Sequence, residues 1–240
     1  MALLLLSAVL SADPLYGSSV VGTDFDVITA EDPSAFESLT FVERGRAEMP
    51  DKREGAGGLF GEAFVFEAAF AGGGRVRLFV DADFGSRAAA EEEARRYCGP
   101  LGRLPGVLRR GVRRLVVHRG GPDTTAFSDG GLIVVYSENA TKRVATHDLE
   151  ETLFHESVHA VWDTPHADSP AWRRAQMRDA TFVTRYAAGR PGREDLAESA
   201  LFAFALTRHP QRIPQPDRGL IAAAIPARIE FVAGLLGDAD

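Results

Sequence analysis

The chain has 240 residues, 45% of them hydrophobic, with a formal net charge of -7 and a pI near 5.4. This size and apolar content predict one globular unit, or one unit with a small N-terminal addition, and argue against a disordered chain. The acidic balance argues against binding to a phosphate backbone, so we expect no nucleic-acid partner. A single cysteine, Cys98, excludes an intramolecular disulfide and a cysteine-rich zinc site, so any zinc site must use histidines and carboxylates.

Residues 1–10 are almost wholly apolar and are followed by the small residues Ser11 and Ala12. Three interpretations are open: a signal segment over residues 1–12, the tail of a longer signal, or a buried first strand. No lysine or arginine precedes the apolar run, which weakens the signal interpretation, and the run is too short for a transmembrane helix. We expect an exported protein, periplasmic or secreted, or otherwise a cytoplasmic one, and no stable membrane insertion in either case.

Residues 13–58 are predicted to form a loop-rich N-terminal segment. Their apolar runs are short, residues 39–42 being an example, and they are interrupted by Asp32-Pro33, Pro50-Asp51 and the glycine-rich residues 55–58. The spacing of residues in this segment does not indicate a catalytic or metal-binding site. We therefore assign the functional domain to residues 59–240.

Two β-rich runs and a helix open this domain. Residues 63–70 and 75–80 are separated by a glycine-rich turn, which predicts an antiparallel hairpin. Ser86 is expected to cap an alanine- and glutamate-rich helix that Gly99 closes. The acidic residues 91–93 of that helix are expected to form a solvated face.

Two further strands follow. Residues 115–118 and 132–136 are β-branched, apolar runs bounded by glycine and proline, so each predicts a strand. A basic cluster precedes the first of them and is expected to be a solvated face instead of a nucleic-acid site. Its members are Arg109, Arg110, Arg113 and Arg114.

The next segment contains the pattern His-Glu-x-x-His at His155, Glu156 and His159. Residues four apart on a helix project from one face about one turn apart, so both imidazoles can bind one metal ion. Glu156 would then lie beside that metal, as in the zincin signature HExxH. Asp148 and Glu151 predict a capping box at the start of this helix. Its apolar side is predicted from the helical spacing of Leu149, Leu153, Phe154, Val158 and Val161.

The rest of the chain is predicted to be helical. Ser169 followed by Pro170 indicates a capped helix that runs through Met177. Residues 193–206 form a second helical run, and residues 217–236 indicate a helix pair interrupted at Pro226.

A catalytic zinc site normally has three protein ligands and one open position, so a third ligand must lie downstream. His166 is one candidate, because the metzincin pattern HExxHxxGxxH ends in a third histidine. The chain departs from that pattern, since Trp162 stands where the glycine is needed and Pro165 where the histidine is needed. His166 comes one place too late.

Glu194 and Glu198 are the stronger candidates. They are four residues apart near the start of a helix, so they share one face. One carboxylate can bind zinc while the other accepts a hydrogen bond from a ligating imidazole and fixes its orientation.

The residues around these glutamates resemble a known class of enzyme. Residues 182–187, followed by Glu194-Asp195-Leu196-Ala197-Glu198, look like the catalytic end of lethal-factor-type zinc peptidases and related bacterial proteins of unassigned role. These enzymes are gluzincins. The resemblance covers roughly residues 149–204, about a quarter of the chain, and does not extend before it.

The resemblance implies roles for three residues and a fold. It makes Glu194 the zinc ligand and Glu198 the carboxylate behind a ligating histidine, with the reverse assignment still open. It implies that the Tyr186 hydroxyl assists the developing oxyanion, the alternative being that Tyr186 only packs between helices. The implied fold is an α+β zincin-like catalytic domain, with a small twisted mixed sheet packed on the HExxH helix and a helical C-terminal half.

These residues predict a zinc metallopeptidase, a hydrolase of amide bonds with one Zn²⁺ per chain and a peptide or protein substrate. Glu156 would be the general base. Residues 132–136 would offer a strand edge to an extended substrate. Asp163, four residues after His159, either orients that histidine or has no role.

Two alternative functions are open. One is a catalytically silent zinc-binding domain with a structural or interaction role, and the other is a different amide hydrolase, for example one acting on cell-wall peptide. The presence of Glu156 argues against the silent domain, because a structural site needs no base and usually closes all four positions with protein ligands.

Overall fold

The computed structural model describes residues 13–55 and 58–237. The apolar run over residues 1–12, with its signal and strand interpretations, lies outside the described residues, as do Ala56 and Gly57 of the predicted glycine-rich breaker. Within the described ranges the chain forms a mixed, open six-stranded sheet and nine α-helices. The α+β class is therefore confirmed.

The sheet has the strand order β1-β2-β3-β4-β6-β5. β3, β4 and β6 run parallel to one another, and the remaining neighbours are antiparallel. The predicted hairpin is confirmed as β2 and β3, and the two later predicted strands as β4 and β6. The strands are β1 (Phe36–Glu48), β2 (Phe60–Phe70), β3 (Arg75–Asp81), β4 (Arg114–His118), β5 (Phe127–Asp129) and β6 (Leu132–Tyr136).

The helices dominate the second half of the chain. The hydroxyls of Ser86 and Ser169 accept hydrogen bonds from backbone N–H groups in the first turns of their helices and so cap them, as predicted. The predicted break between the last two helices is also present, and Pro226 begins the second of them. The helices are α1 (Arg87–Arg103), α2 (Gly106–Arg109), α3 (Ser137–Ala145), α4 (Leu149–Trp162), α5 (Pro170–Arg178), α6 (Arg185–Gly189), α7 (Asp195–Arg208), α8 (Gln215–Ala224) and α9 (Pro226–Leu236). A π-helical turn, Asp163–Ala167, directly follows α4.

Two predictions near the start of the sheet are wrong. Residues 36–48 were expected in a loop-rich segment, but they form β1, whose backbone pairs along its length with β2. Helix α1 does not stop at Gly99 and continues through Pro100 to Arg103. Tertiary packing outweighs local propensity here, because Tyr97 and Leu101 are buried in the core.

Two predicted solvated faces are also partly buried. Glu93 is buried and accepts a hydrogen bond of 2.8 Å from the Tyr97 hydroxyl, so it does not share the exposure of Glu92. Arg109 is buried as well and donates to the carbonyl of Leu104 at 2.9 Å. These long polar side chains satisfy groups inside the fold, which periodicity in charge alone does not reveal.

The hydrophobic core lies between one face of the sheet and the helices α1, α4 and α7. The sheet contributes the buried residues Phe66, Leu78 and Ile133, and α4 contributes Leu153 and Phe154. The predicted apolar side of α4 is thus confirmed. Because this side is held in the core, the opposite side of α4 faces a cleft.

Among the described residues, no single helix is both long and apolar enough to cross a membrane. Helices α8 and α9 meet those criteria only when taken together, and they meet at an angle of 95°.

Arg228 joins three helical segments inside the protein. Its guanidinium is 1% exposed and contacts Asp195 at 2.9 Å and Asp179 at 3.0 Å. Arg228→Ala is expected to lower the free energy of unfolding by about 3–5 kcal/mol, because it leaves buried carboxylates without their counter-charge. Urea denaturation measures this. Arg178→Ala, which removes an exposed arginine, should change the midpoint little, and an equal loss in both variants would contradict the account.

Candidate metal centre

Helix α4 begins differently from the predicted capping box. The Asp148 side chain makes no cap hydrogen bond and instead accepts from Arg143 at 3.1 Å. Glu151 accepts from the backbone N–H groups of Val27, at 2.5 Å, and Ile28, at 3.4 Å. The first turn of α4 therefore anchors the N-terminal segment through the Glu151 carboxylate.

The structure brings His155, His159 and Glu194 together. The Nε2 atoms of His155 and His159 are 3.1 Å apart. Oε2 of Glu194 lies 3.1 Å from Nε2 of His159 and 3.5 Å from Nε2 of His155. Ligands bound to a tetrahedral zinc ion at about 2.0–2.2 Å lie roughly 3.3 Å apart. The three donor atoms could therefore hold one metal ion, and their separations are close to those of tetrahedral zinc ligands.

His159 is oriented by Asp163. Its Nδ1 lies 2.7 Å from Oδ2 of Asp163, the first residue of the π-helical turn. A proton on Nδ1 is thereby held on the side away from Glu194, which leaves Nε2 free to bind a metal. Of the two interpretations of Asp163, this contact supports the orienting one.

Glu198 lies behind the other histidine. Its Oε1 is 3.5 Å from Nδ1 of His155, whereas Glu194 contacts the Nε2 atoms of both histidines. Glu198 is fully buried and accepts hydrogen bonds from the backbone N–H of Ser19 at 2.7 Å and from its hydroxyl at 3.1 Å. The geometry therefore places Glu194 at the donor cluster and Glu198 outside it.

The N-terminal segment contributes to this site, which the sequence did not indicate. Besides the contacts of Ser19, the Ser18 hydroxyl donates to Glu198 at 3.3 Å. The backbone N–H of Tyr186 donates to the carbonyl of Gly17 at 3.0 Å. Two adjacent serines in a loop carry no pattern that points to a partner about 180 residues away, so only the tertiary fold reveals them.

Glu156 lies beside the cluster and is held by a second residue that the sequence did not indicate. The Ser128 hydroxyl donates to Oε2 of Glu156 at 2.6 Å. Ser128 is in β5, which is the edge strand next to the cleft.

Tyr186 lies in the first turn of α6 and lines the same cleft, with 38% of its surface exposed. Burial and the Glu194 carboxylate raise the pKa of its hydroxyl above the ordinary value. Tyr186 therefore keeps its proton at neutral pH and can act as a hydrogen-bond donor.

The carboxylates make the site negative. Burial acts to raise the pKa of Glu194, but hydrogen bonds from both histidines hold it well below its ordinary value. Burial acts to lower the pKa of His159, yet Asp163 and Glu194 raise it to about 10. A site with this charge favours a cation, which would replace the imidazole proton.

A cleft of about 580 Å³ opens in front of the cluster. Its lining includes all seven residues predicted for the site from the sequence: His155, Glu156, His159, Asp163, Tyr186, Glu194 and Glu198. His166, the metzincin alternative, packs edge-on against Phe231 and is not part of the cluster.

The predicted substrate edge is wrong. β6 lies inside the sheet between β4 and β5, so residues 132–134 are paired on both sides, while residues 135 and 136 pair with β4. At this side of the sheet the edge strand is β5, which within the described residues pairs with β6 alone. A three-residue strand with the sequence Phe-Ser-Asp gives too short a pattern to be recognised from the sequence.

No protein-family model, curated protein or solved structure matches this chain.

Proposed function

We propose that this protein is a zinc-dependent peptidase with one zinc ion per chain. The observation that carries the proposal is the spacing of the three donor atoms of His155, His159 and Glu194, with Glu156 directly beside them. Two histidines and a glutamate leave one zinc position open for catalysis. The resemblance of residues 149–204 to the gluzincins supports the same assignment, and with it a zincin-like fold.

Glu156 is the proposed general base. Bound zinc supplies Lewis acidity, which polarises the scissile carbonyl and acidifies the attacking water. Glu156 takes one proton from that water as its oxygen bonds to the carbonyl carbon, and the carbonyl π electrons move to oxygen. The carbon–nitrogen bond then breaks, and Glu156 delivers the proton to the leaving amine. The products are a carboxylic acid and an amine, and the proton that passes from one to the other at neutral pH leaves a carboxylate and an ammonium, so atoms and charge balance.

Other residues of the cleft support this chemistry. Ser128 holds one oxygen of Glu156 and so fixes the direction of the second. The free edge of β5 can pair with an extended peptide, which would lay the scissile bond across the cluster. Tyr186 would donate a hydrogen bond to the oxyanion as it forms.

Tyr186→Phe removes one oxygen and leaves the ring in place. If the hydroxyl stabilises the transition state, turnover is expected to fall roughly 10²- to 10³-fold, with zinc content and melting temperature nearly unchanged. Steady-state kinetics and a thermal melt measure both effects. Tyr97→Phe is the matched control, because it removes a buried hydrogen bond outside the cleft and should cost about 1 kcal/mol of stability without slowing turnover. Unchanged turnover in Tyr186→Phe would remove this residue from the mechanism.

A peptide-library digest tests the proposed function. Protein with zinc, protein stripped by a chelator and protein with zinc restored are each incubated with casein and with a random peptide library. Cleavage by the first and third samples, and not by the second, is the expected result. A protein that binds zinc and cleaves neither substrate would favour the silent zinc-binding domain, and cleavage of cell-wall peptide alone would favour the other amide hydrolase.

A further inference from the structure

Lys52 is fixed at the rim of the metal cleft by neutral groups. Its Nζ donates to Oγ1 of Thr125 at 3.0 Å and to the carbonyl of Ala126 at 3.2 Å, and it lies 5.3 Å from the ring centre of Phe127. Its backbone N–H donates to the Tyr136 hydroxyl at 3.1 Å. An ammonium has three donors, so one remains for a ligand.

Lys52 differs from its neighbours in lacking a carboxylate partner. Asp51 and Arg53 pair with each other at 2.5 Å, whereas within residues 13–55 and 58–237 no carboxylate lies within 4.0 Å of the Lys52 ammonium. The side chain is exposed, but its hydrogen bonds to Thr125 and Ala126 hold the ammonium against the cleft wall. A fixed cation with neutral partners and a spare donor is suited to binding an anion.

A second cation belongs to the same cleft. Arg193 directly precedes Glu194, its Nε lies 3.7 Å from Oε1 of Glu194, and its side chain is 79% exposed. Burial and Arg193 act to lower the pKa of Lys52, while Glu156 and Glu194 act to raise it, so all these groups are close enough to interact. Two cations on the walls of one cleft repel each other, and an anion bound between them would relieve that repulsion.

Three acidic groups of the cleft have other partners, and Asp129, which also lines the cleft, is exposed on β5. Glu194 contacts both histidines, Glu156 accepts from Ser128, and Asp163 contacts His159. Once a divalent ion is bound by the cluster, Glu194 is neutralised further. The Lys52 ammonium then faces the cleft without a carboxylate partner of its own, and Arg193 is released in part from Glu194.

We propose that this cleft selects substrates by a carboxylate close to the scissile bond, which Lys52 binds with assistance from Arg193. The proposal rests on the peptidase function proposed above and defines its substrate class. The carboxylate is either the side chain of an aspartate or glutamate, which makes the enzyme an endopeptidase, or the C-terminus of the peptide, which makes it act at chain ends. Both sources present the same chemistry to Lys52.

Matched peptides test the proposal. Peptides taken from the library digest are made in pairs that differ only by Glu or Gln next to the scissile bond, and each with a free or an amidated C-terminus. The zinc-loaded enzyme is expected to show a kcat/KM roughly 10-fold higher for the carboxylate member, since one charge-assisted hydrogen bond is worth about that factor. A preference within the Glu and Gln pairs identifies a side-chain carboxylate, and a preference for the free over the amidated peptide identifies the C-terminus.

Charge reversal supplies the control. Lys52→Glu should abolish or invert the preference. The chain contains one other lysine, Lys142, which pairs with Asp123 outside the metal cleft. Lys142→Glu should behave like the wild type. Equal kcat/KM for both members of every pair, or an unchanged preference in Lys52→Glu, would overturn the carboxylate site while leaving the peptidase function standing.

A binding measurement decides the question if no peptide is cleaved. Zinc-loaded Glu156→Gln protein is acetylated with a lysine reagent, with and without an acidic peptide, and Lys52 and Lys142 are followed by mass spectrometry. Slower acetylation of Lys52 alone, with no effect of the neutral peptide, supports the carboxylate site. Equal acetylation of Lys52 with either peptide contradicts it, whatever the outcome for hydrolysis.

Discussion

Glu156→Gln is expected to keep zinc near one equivalent per chain while hydrolysis falls roughly 10²- to 10⁴-fold. Glu156 lies beside the cluster but is not one of its three donors, and it is held in place by Ser128. The substitution keeps the shape of the side chain and removes its ability to accept a proton. Metal analysis and steady-state kinetics on the same sample measure both quantities.

Glu92→Gln is the matched control for this variant. Glu92 is exposed on α1, so the control should keep both zinc and turnover. Loss of zinc from Glu156→Gln would mean that Glu156 is a ligand, which contradicts its assignment as base. Full turnover in Glu156→Gln would remove the residue from the chemistry.

Glu194→Ala and Glu198→Ala are expected to separate the two carboxylates. Glu194 contacts the Nε2 atoms of both histidines, so its removal takes away one of three donors and should abolish stable zinc binding. Glu198 lies behind His155, and its removal should weaken zinc affinity by about 10- to 100-fold. Competition with a chromogenic chelator measures both affinities.

The reverse result would contradict the assignment. If Glu198→Ala loses zinc outright and Glu194→Ala retains it, Glu198 is the ligand. A thermal melt accompanies the measurement, because Glu198 is fully buried and its hydrogen bonds to Ser19 also stabilise the fold. A Glu198 variant that melts early but binds zinc normally would show a purely structural role.

The parts of the fold that follow from local pattern were predictable. These parts depend on residues that are close together in the chain. They are the hairpin, the strands β4 and β6, the apolar side of α4 and the caps at Ser86 and Ser169. The same holds for the histidines, because one helical turn brings His155 and His159 together. Glu194 was predicted as a ligand from its spacing to Glu198 and from the resemblance to gluzincins, and the structure places it at the two histidines.

The parts that depend on distant contacts were not predictable. β1 has weak local signals and is specified by its pairing with β2. Glu151 fits a capping box by spacing, but the amide groups of Val27 and Ile28 use its carboxylate instead. Ser19 and Ser128 reach the site only because the fold places the N-terminal segment and β5 against it. Local periodicity contains no information about such partners.

Zinc content tests the central claim most directly. Wild-type protein, His155→Ala and His166→Ala are purified identically, exposed to one equivalent of zinc, passed through a desalting column and analysed for metal. We expect about one zinc per chain in the wild type and in His166→Ala, and almost none in His155→Ala, because His155 belongs to the donor cluster and His166 does not. Equal zinc in wild type and His155→Ala, or no zinc in any of the three proteins, would contradict it.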